Sequence, residues 1–355
     1  MKWIVTGAAG FIGSNASASF LSAGDEVVAV DNLSRPGARQ NLAWLFDQPV
    51  PPLFVEVDVT DAAAIARVVE EHGDAGAVLH LAGQVAVTTS VRHPRADFES
   101  NALGTLNVCE AVRHHAPEAL LLNASTNKVY GSGSDDLVLK DGRWSDPASP
   151  GGADELTPLG FHSPYACSKG IADQYVLDYA RTYGLRTVSL RQSCIYGPRQ
   201  FGIEDQGWLA WFTVAALAAI PITIFGDGRQ ARDALEVSDL IDLYARCAAD
   251  PDRVAGRAIN VGGGPENVLS LLELVEMLEQ RLDCAVGLRF EQARLGDQRL
   301  FVSNIGLARS LLGWEPTVSV ESGVVRLVSW IQENLDDVAR ALGPQKVPRP
   351  AATGS

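Results

Sequence analysis

A tyrosine and a lysine four positions apart, Tyr165 and Lys169, lie in SPYACSKGIADQY (residues 163–175), a segment that reads as a helix. That spacing puts the phenol and the ammonium on one face, a turn apart. A tyrosine ordinarily titrates near pH 10 and is a poor base at neutrality, but a neighbouring cation favours the phenolate. Such a pair can take a proton from a hydroxyl while a hydride leaves the carbon that bears it. The pair alone is a weak signal, because a solvated lysine and a half-buried tyrosine recur on surface helices. The context upstream strengthens it. STNKVYG (residues 125–131) follows an apolar strand at 120–123, which sets the hydroxyl of Thr126 at a strand end to hold a reacting oxygen.

These groups need a hydride acceptor, and the amino terminus reads as the place for one. An apolar strand at 3–5 runs into TGAAGFIG (residues 6–13) and then a helical pattern to about residue 23. Gly7, Gly10 and Gly13 permit a tight turn, close approach of the backbone to a pyrophosphate and close helix packing, with Phe11 and Ile12 opening the helix whose N-terminus favours phosphate. A second strand, 26–30, ends in Asp31, followed by Asn32. A carboxylate there accepts from the adenosine ribose hydroxyls and repels a ribose phosphate, so the expected cofactor is NAD rather than NADP. Arg35 and Arg39 lie just downstream and serve either a phosphate or the solvated surface.

A third strand at 54–57 ends in Asp58 and Val59, placed to meet an adenine amine, and Asp58 can equally cap the helix that begins near Asp61. A fourth strand at 77–81 runs into Leu81, Ala82, Gly83 and Gln84, whose small members admit a cofactor to the backbone; His80 reads as structural. A helix over 96–114 carries Asn101 toward the same crevice, and the fifth strand delivers Ser125 beside Thr126. A further strand at 186–191 ends near Cys194 and Ile195, expected beside the nicotinamide, with Cys194 lining the pocket. Strands and helices alternate, which predicts an α/β fold, a Rossmann-type doubly wound parallel sheet with the ligand at the strands' carboxyl ends.

Composition is that of a soluble globular protein: 355 residues, 46% hydrophobic, 20% charged. A formal charge of −14 argues against nucleic-acid and anionic-membrane partners, so phosphates must be held by local arginines and backbone amides. Cys109, Cys167, Cys194, Cys247 and Cys284 are widely spaced, which suggests neither a metal site nor a disulfide framework. The chain begins MKWIVTGAAG without a secretory pattern, and no apolar run reaches membrane length, so a cytoplasmic location is expected.

TGxxGxxG, Thr126 before Val129-Tyr130-Gly131, and Tyr-x-x-x-Lys together resemble the extended short-chain dehydrogenase/reductases of the NAD-dependent epimerase/dehydratase family. DNLSRPGARQNLAWL (31–45), HLAGQVAVTTS (80–90), STNKVYG, YGPRQFGIEDQGWLAWF (196–212) and DQRLFVSN (297–304) narrow the resemblance to members that invert carbon 2 of a CDP-deoxyhexose. The resemblance covers the chain to about Trp330 and implies a nucleotide-sugar substrate, tightly held NAD and a homo-oligomer. It implies substrate contacts from Thr126, Asn127, Cys194, Arg199 and Gln206, and a diphosphate grip by Arg232 and Arg294, whose planar forks suit phosphate. Dehydratases of the family carry an Asp-Glu pair after the catalytic threonine; here Asn127-Lys128 stands there, so elimination is disfavoured. A 4-epimerase or another oxidoreductive isomerase is the alternative, and a non-catalytic NAD-binding protein is a third reading. Gln192 and Leu295-Gly296 depart from the family pattern and bear on sugar and base specificity.

Residues 1–197 are expected to be mainly the NAD-binding domain, 198–342 mainly a substrate-binding portion with segments returning to the first, and 343–355 a flexible tail. The polar stretch 132–161, with a hairpin turn at Asp141-Gly142, is either a lid or a surface insertion. Gln206-Gly207-Trp208 offers a Trp either to a nucleotide or to the core. Ser270 caps an amphipathic helix at 271–282, and 320–342 reads as one or two closing helices.

Overall fold

The computed structural model describes residues 1–133, 136–294 and 297–343. The expected tail, beyond Gly343, and Leu295-Gly296 lie outside these residues. Seven strands form the main sheet: β1 (Lys2–Thr6), β2 (Glu26–Asp31), β3 (Leu53–Glu56), β4 (Ala77–His80), β5 (Leu120–Thr126), β6 (Thr187–Gln192) and β7 (Arg257–Val261). Their order is β7-β6-β5-β4-β1-β2-β3, and every pairing is parallel. The order reverses between β1 and β4, so a crevice opens at their carboxyl ends. Val5, Val78 and Leu79 are wholly buried because helices cover both sheet faces, which explains apolar runs without alternation.

Helix α1 (Phe11–Ser22) starts directly from the glycine turn. Gly7 is held at φ +72, where a side chain is strained, and a Cβ there would come within 2.7 Å of Ala82 N. At Gly13 a Cβ would lie 2.1 Å from Gly7 O, so the helix packs on the turn with no room for a side chain.

The helix expected over 96–114 runs from Pro94 to His115 and contains one π-turn, Glu99–Leu103, between Pro94–Phe98 and Gly104–His115. The wide turn accompanies the inward placement of Asn101, which donates to Ser168 Oγ at 3.1 Å and accepts from Gln84 N at 2.9 Å. Helix α2 (Pro164–Tyr183) carries Tyr165 and Lys169. Its start is set by Ser163, whose hydroxyl accepts from Ala166 N, and by Pro164 in the first turn; Gly184 in the left-handed region ends it.

The carboxyl half adds smaller sheets. Cys194–Tyr196 continues from β6 and pairs with Ala231–Glu236, and Ile222–Phe225 pairs with Leu288–Glu291, both in parallel. Leu209, Phe212, Leu274, Leu278, Leu327 and Ile331 bury the helices of this half against one another. Ser270 forms a reciprocal capping box with Glu273, and the closing segment is a pair of helices, Val320–Glu333 and Leu335–Leu342. Asp141-Gly142 turns a hairpin, Val138–Lys140 with Arg143–Ser145. The hairpin is docked, since Arg143 donates to Val268 O at 2.7 Å and Trp144 Nε1 to Asp227 at 3.0 Å.

Candidate active site

A cavity of about 910 Å³ runs from the glycine turn, past the ends of β1, β4 and β5, to the Arg232 strand. At one end the N-terminus of α1 opens into it through Gly10, Phe11, Ile12 and Gly13, with no side-chain cap at Gly10. A helix start left without a side-chain cap, beneath a glycine turn, fits a pyrophosphate.

Asp31 stands beside this turn and is buried; its carboxylate accepts from Ala9 N at 3.0 Å and Leu33 N at 2.7 Å. Burial raises its pKa against those bonds. Asn32 donates to Asp58 at 2.7 Å, and Asp58 also accepts from the Thr60 N–H and hydroxyl. Asp58 is therefore an organiser of its own loop; the helix after it is capped by Asp61, which accepts from Ala64 N. Val59, Leu81, Ala82, Gly83 and Gln84 line the next stretch of the wall. Asn101 does not line it: its amide is spent on Gln84, Asp97 and Ser168, behind the wall. His80 is buried between Thr6 and Thr105, and desolvation drives its pKa down to about 3, so it is a neutral structural group.

At the centre, Thr126, Tyr165 and Lys169 converge on the cavity with Ser125 and Ile195 beside them. The Thr126 hydroxyl is a polar neighbour that favours the Tyr165 phenolate, and it donates to Asn127 Oδ1 at 3.3 Å. Burial pushes the phenol up to about 12, opposed by the Thr126 hydroxyl and by the charge of Arg35. Lys169 donates to Ala124 O at 2.6 Å, and burial lowers its pKa to about 8. The charge of Arg35, from the loop after β2, also favours the phenolate, and Arg35 donates to Gln206 across the cavity. Burial lowers the Arg35 pKa, with Tyr165 acting in the opposite direction.

Toward the far end lie Asn127, Cys194, Arg199, Gln206, Arg232 and Arg294. Cys194 receives the Trp208 indole N–H at 3.2 Å, and burial pushes its thiol up to about 12, so it is no nucleophile. Trp208 is half-buried and lines the cavity, with its ring edge-on to Phe212. Arg199 is clamped over the Trp44 ring at 3.9 Å. Arg232 bonds the carbonyls of Ala231 and Gln298 and lies 3.5 Å from Asp297; Arg294 lies 3.6 Å over the Phe225 ring and 3.3 Å from Asp205. Gln192 lines the cavity and donates to Tyr244 at 2.7 Å.

Sequence reasoning does not assign Lys128 or Phe225 to the site. Lys128 was legible by adjacency, because its backbone N–H donates to Thr126 Oγ1 at 3.3 Å. Phe225 has no local signal; it arrives through a strand of the carboxyl half. Among the described residues no cluster of His, Cys, Asp or Glu forms a metal site, all five cysteines are free, and no helix is long and apolar enough to cross a membrane.

The profile of the NAD dependent epimerase/dehydratase family matches residues 3–262. The chain is 43% identical to CDP-paratose 2-epimerase of Salmonella typhi, over 93% of this chain and 99% of the relative. It is 32% identical to dTDP-glucose 4,6-dehydratase of Xanthomonas campestris, over 99% of each. Among solved structures, UDP-glucuronic acid 4-epimerase of Bacillus cereus, in complex with UDP-glucuronic acid and NAD, superimposes with a TM-score of 0.82 at 27% identity, covering 94% of this chain and 99% of that one.

Proposed function

This chain belongs to the NAD-dependent epimerase/dehydratase family, and on that premise we propose that it inverts carbon 2 of a CDP-deoxyhexose of the paratose/tyvelose type. The glycine turn and Asp31 would hold NAD, whose nicotinamide would supply a hydride acceptor and donor. Tyr165 takes the proton of the hydroxyl at the reacting carbon and returns it to the resulting keto-sugar's oxygen, with Thr126 holding that oxygen and Lys169 fixed by Ala124 O beneath. Inversion requires that the keto-sugar offer its opposite face to the same cofactor before hydride return. Arg232 and Arg294 hold the diphosphate while it does so.

One observation carries the choice of epimerisation over dehydration: Thr126 is followed by Asn127 and Lys128, so the pair of carboxyl groups that elimination uses is missing at that position. The choice of carbon 2 and of a CDP sugar is supported by the Salmonella typhi relative. A cytoplasmic, homo-oligomeric enzyme is part of the proposal, supported by the free cysteines and by exposed apolar side chains such as Phe98, Tyr175 and Tyr183. The test is proton NMR in deuterated water with CDP-, UDP- and GDP-hexoses. Inversion at carbon 2 without deuterium there is expected with a CDP sugar. Inversion at carbon 4 would move the assignment to a 4-epimerase, and loss of water with deuterium uptake would move it to a dehydratase.

A further inference from the structure

Residues 203–206 form a tight turn on the wall of the cavity. Ile203 N donates to Gln206 O at 2.9 Å and Gln206 N to Ile203 O at 2.8 Å, so Glu204 and Asp205 are its tip. Its neck is a pair of glycines: a Cβ on Gly202 would lie 2.7 Å from Gly207 O, and Gly207 itself sits at φ +76. Glu204, Asp205 and Gln206 all line the cavity.

Three arginines from separate elements hold this turn. Arg35, on the loop after β2, donates to the Gln206 side chain. Arg92, at the end of the helix Val87–Arg92, lies 3.3 Å from Asp205 Oδ2. Arg294, just beyond the strand Leu288–Glu291, directs Nη1 to Glu204 O and Nη2 to Asp205 Oδ1, each at 3.3 Å. With its guanidinium 3.6 Å over the Phe225 ring, Arg294 has spent on the turn the fork that a bidentate phosphate contact uses. Arg92 borders a second, smaller cavity of about 400 Å³ with Asp205 and Arg294, and does not line the main one. The Arg92 and Asp205 side chains are 62% and 31% exposed, so water weakens their pairing and the bond breaks readily.

We propose that residues 203–206 are a strap latched by Asp205, which must lift before a nucleotide's diphosphate reaches Arg294. The identity of the ligand rests on the nucleotide-sugar reading above. Entry breaks the Asp205–Arg294 pair; the phosphate takes the place of the carboxylate on that guanidinium, and Asp205 keeps Arg92. One carboxylate set between two guanidiniums leaves this part of the wall positive, in a protein of net charge −14, which favours an incoming anion. The glycine neck absorbs the motion, and Trp208, next to it on the cavity wall, reports it.

The experiment is stopped-flow tryptophan fluorescence of the NAD-loaded protein mixed with rising concentrations of CDP. A strap that controls entry makes the observed rate level off at the rate of opening. Arg92→Met should raise that ceiling about two- to fivefold, the range for one exposed ion pair, and Asp205→Asn should raise it further. Arg92→Met separates the latch from simple attraction, because losing a cation near an anion site would otherwise slow association. Cleavage after Glu204 by a glutamate-specific protease reads the strap with no ligand present, and should be faster in Arg92→Met than in the wild type. A wild-type rate that climbs linearly with CDP would overturn the strap, whether or not the variants fold. So would slower association in Arg92→Met, or cleavage at Glu204 no faster than in the wild type. If CDP does not bind but Arg92→Met is cut faster at Glu204, the strap stands and it is the nucleotide-sugar reading that falls.

Discussion

Arg35, on the loop after β2, donates a hydrogen bond to Gln206, 171 residues further along the chain. The contact spans the cavity from the nucleotide side of the main sheet to the segment that leads into Trp208. It also brings a guanidinium within electrostatic range of the Tyr165 phenol.

Arg35→Ala should therefore act twice. Removing the bridge should speed the loss of NAD during gel filtration, measured by absorbance of the released cofactor. Removing the charge should raise the Tyr165 pKa, so that less phenolate is present at any given pH and the rising limb of the kcat/KM profile moves to higher pH. An unaltered profile would show that Arg35 does not act on the phenol.

Tyr165→Phe removes the phenol that lines the cavity with Thr126 and that, on the proposed mechanism, exchanges a proton with a sugar hydroxyl. Turnover should fall by at least about 100-fold, the usual contribution of a positioned acid-base group, while bound NAD and the far-ultraviolet circular dichroism stay as in the wild type. Turnover within a few-fold of wild type would take Tyr165 out of the mechanism.

The strand that delivers Thr126 is held from behind by a buried ion pair. Arg191 on β6 lies opposite Ser125 in the parallel register and donates through Nη2 to Asp173 of α2 at 2.8 Å. Ser189 bonds the same carboxylate, and Arg191 also donates to Tyr130 OH at 2.9 Å. Asp173→Ala leaves a buried guanidinium without its counter-ion and should cost about 3–5 kcal/mol in urea unfolding. Replacing both partners, as Asp173→Leu with Arg191→Met, should cost much less. A small loss for the single variant would mean that water reaches Arg191.

The parallel sheet was legible because β1, β2, β4 and β5 are short apolar runs separated by helical patterns, and the glycine turn needs its three glycines for contacts that a Cβ would block. The π-turn in the helix around Asn101 was not legible. A π-turn carries no spacing signature, and its cause is tertiary, in the bonds from Asn101 to Gln84 and Ser168. Arg35 was ambiguous for the same reason: only the folded chain brings Gln206 to it. The pairing of Tyr165 with Lys169 is visible in the four-residue spacing, but the direction in which the ammonium bonds, to Ala124 O, depends on how α2 packs against β5.

Lys169 also makes the site a local cost to stability. Burial takes its pKa from the ordinary 10.5 to about 8. Below pH 8 both folded and unfolded chains carry the proton, and the folded chain bears the full cost of a desolvated cation. Between pH 8 and 10.5 the unfolded chain still binds a proton that the folded chain has lost, so stability from this group rises with pH. Lys169→Met keeps the shape and removes the charge. At pH 7 the variant, free of added ligands, should melt at a higher temperature than the wild type, with turnover sharply reduced, a trade of activity for stability. Burial also lowers the Lys128 pKa to about 8, but Lys128 is present in both proteins and drops out of the difference. The gap in melting temperature should close as pH approaches 10.5. A variant that is less stable than the wild type at pH 7 would show that the bond to Ala124 O outweighs the desolvation of the ammonium.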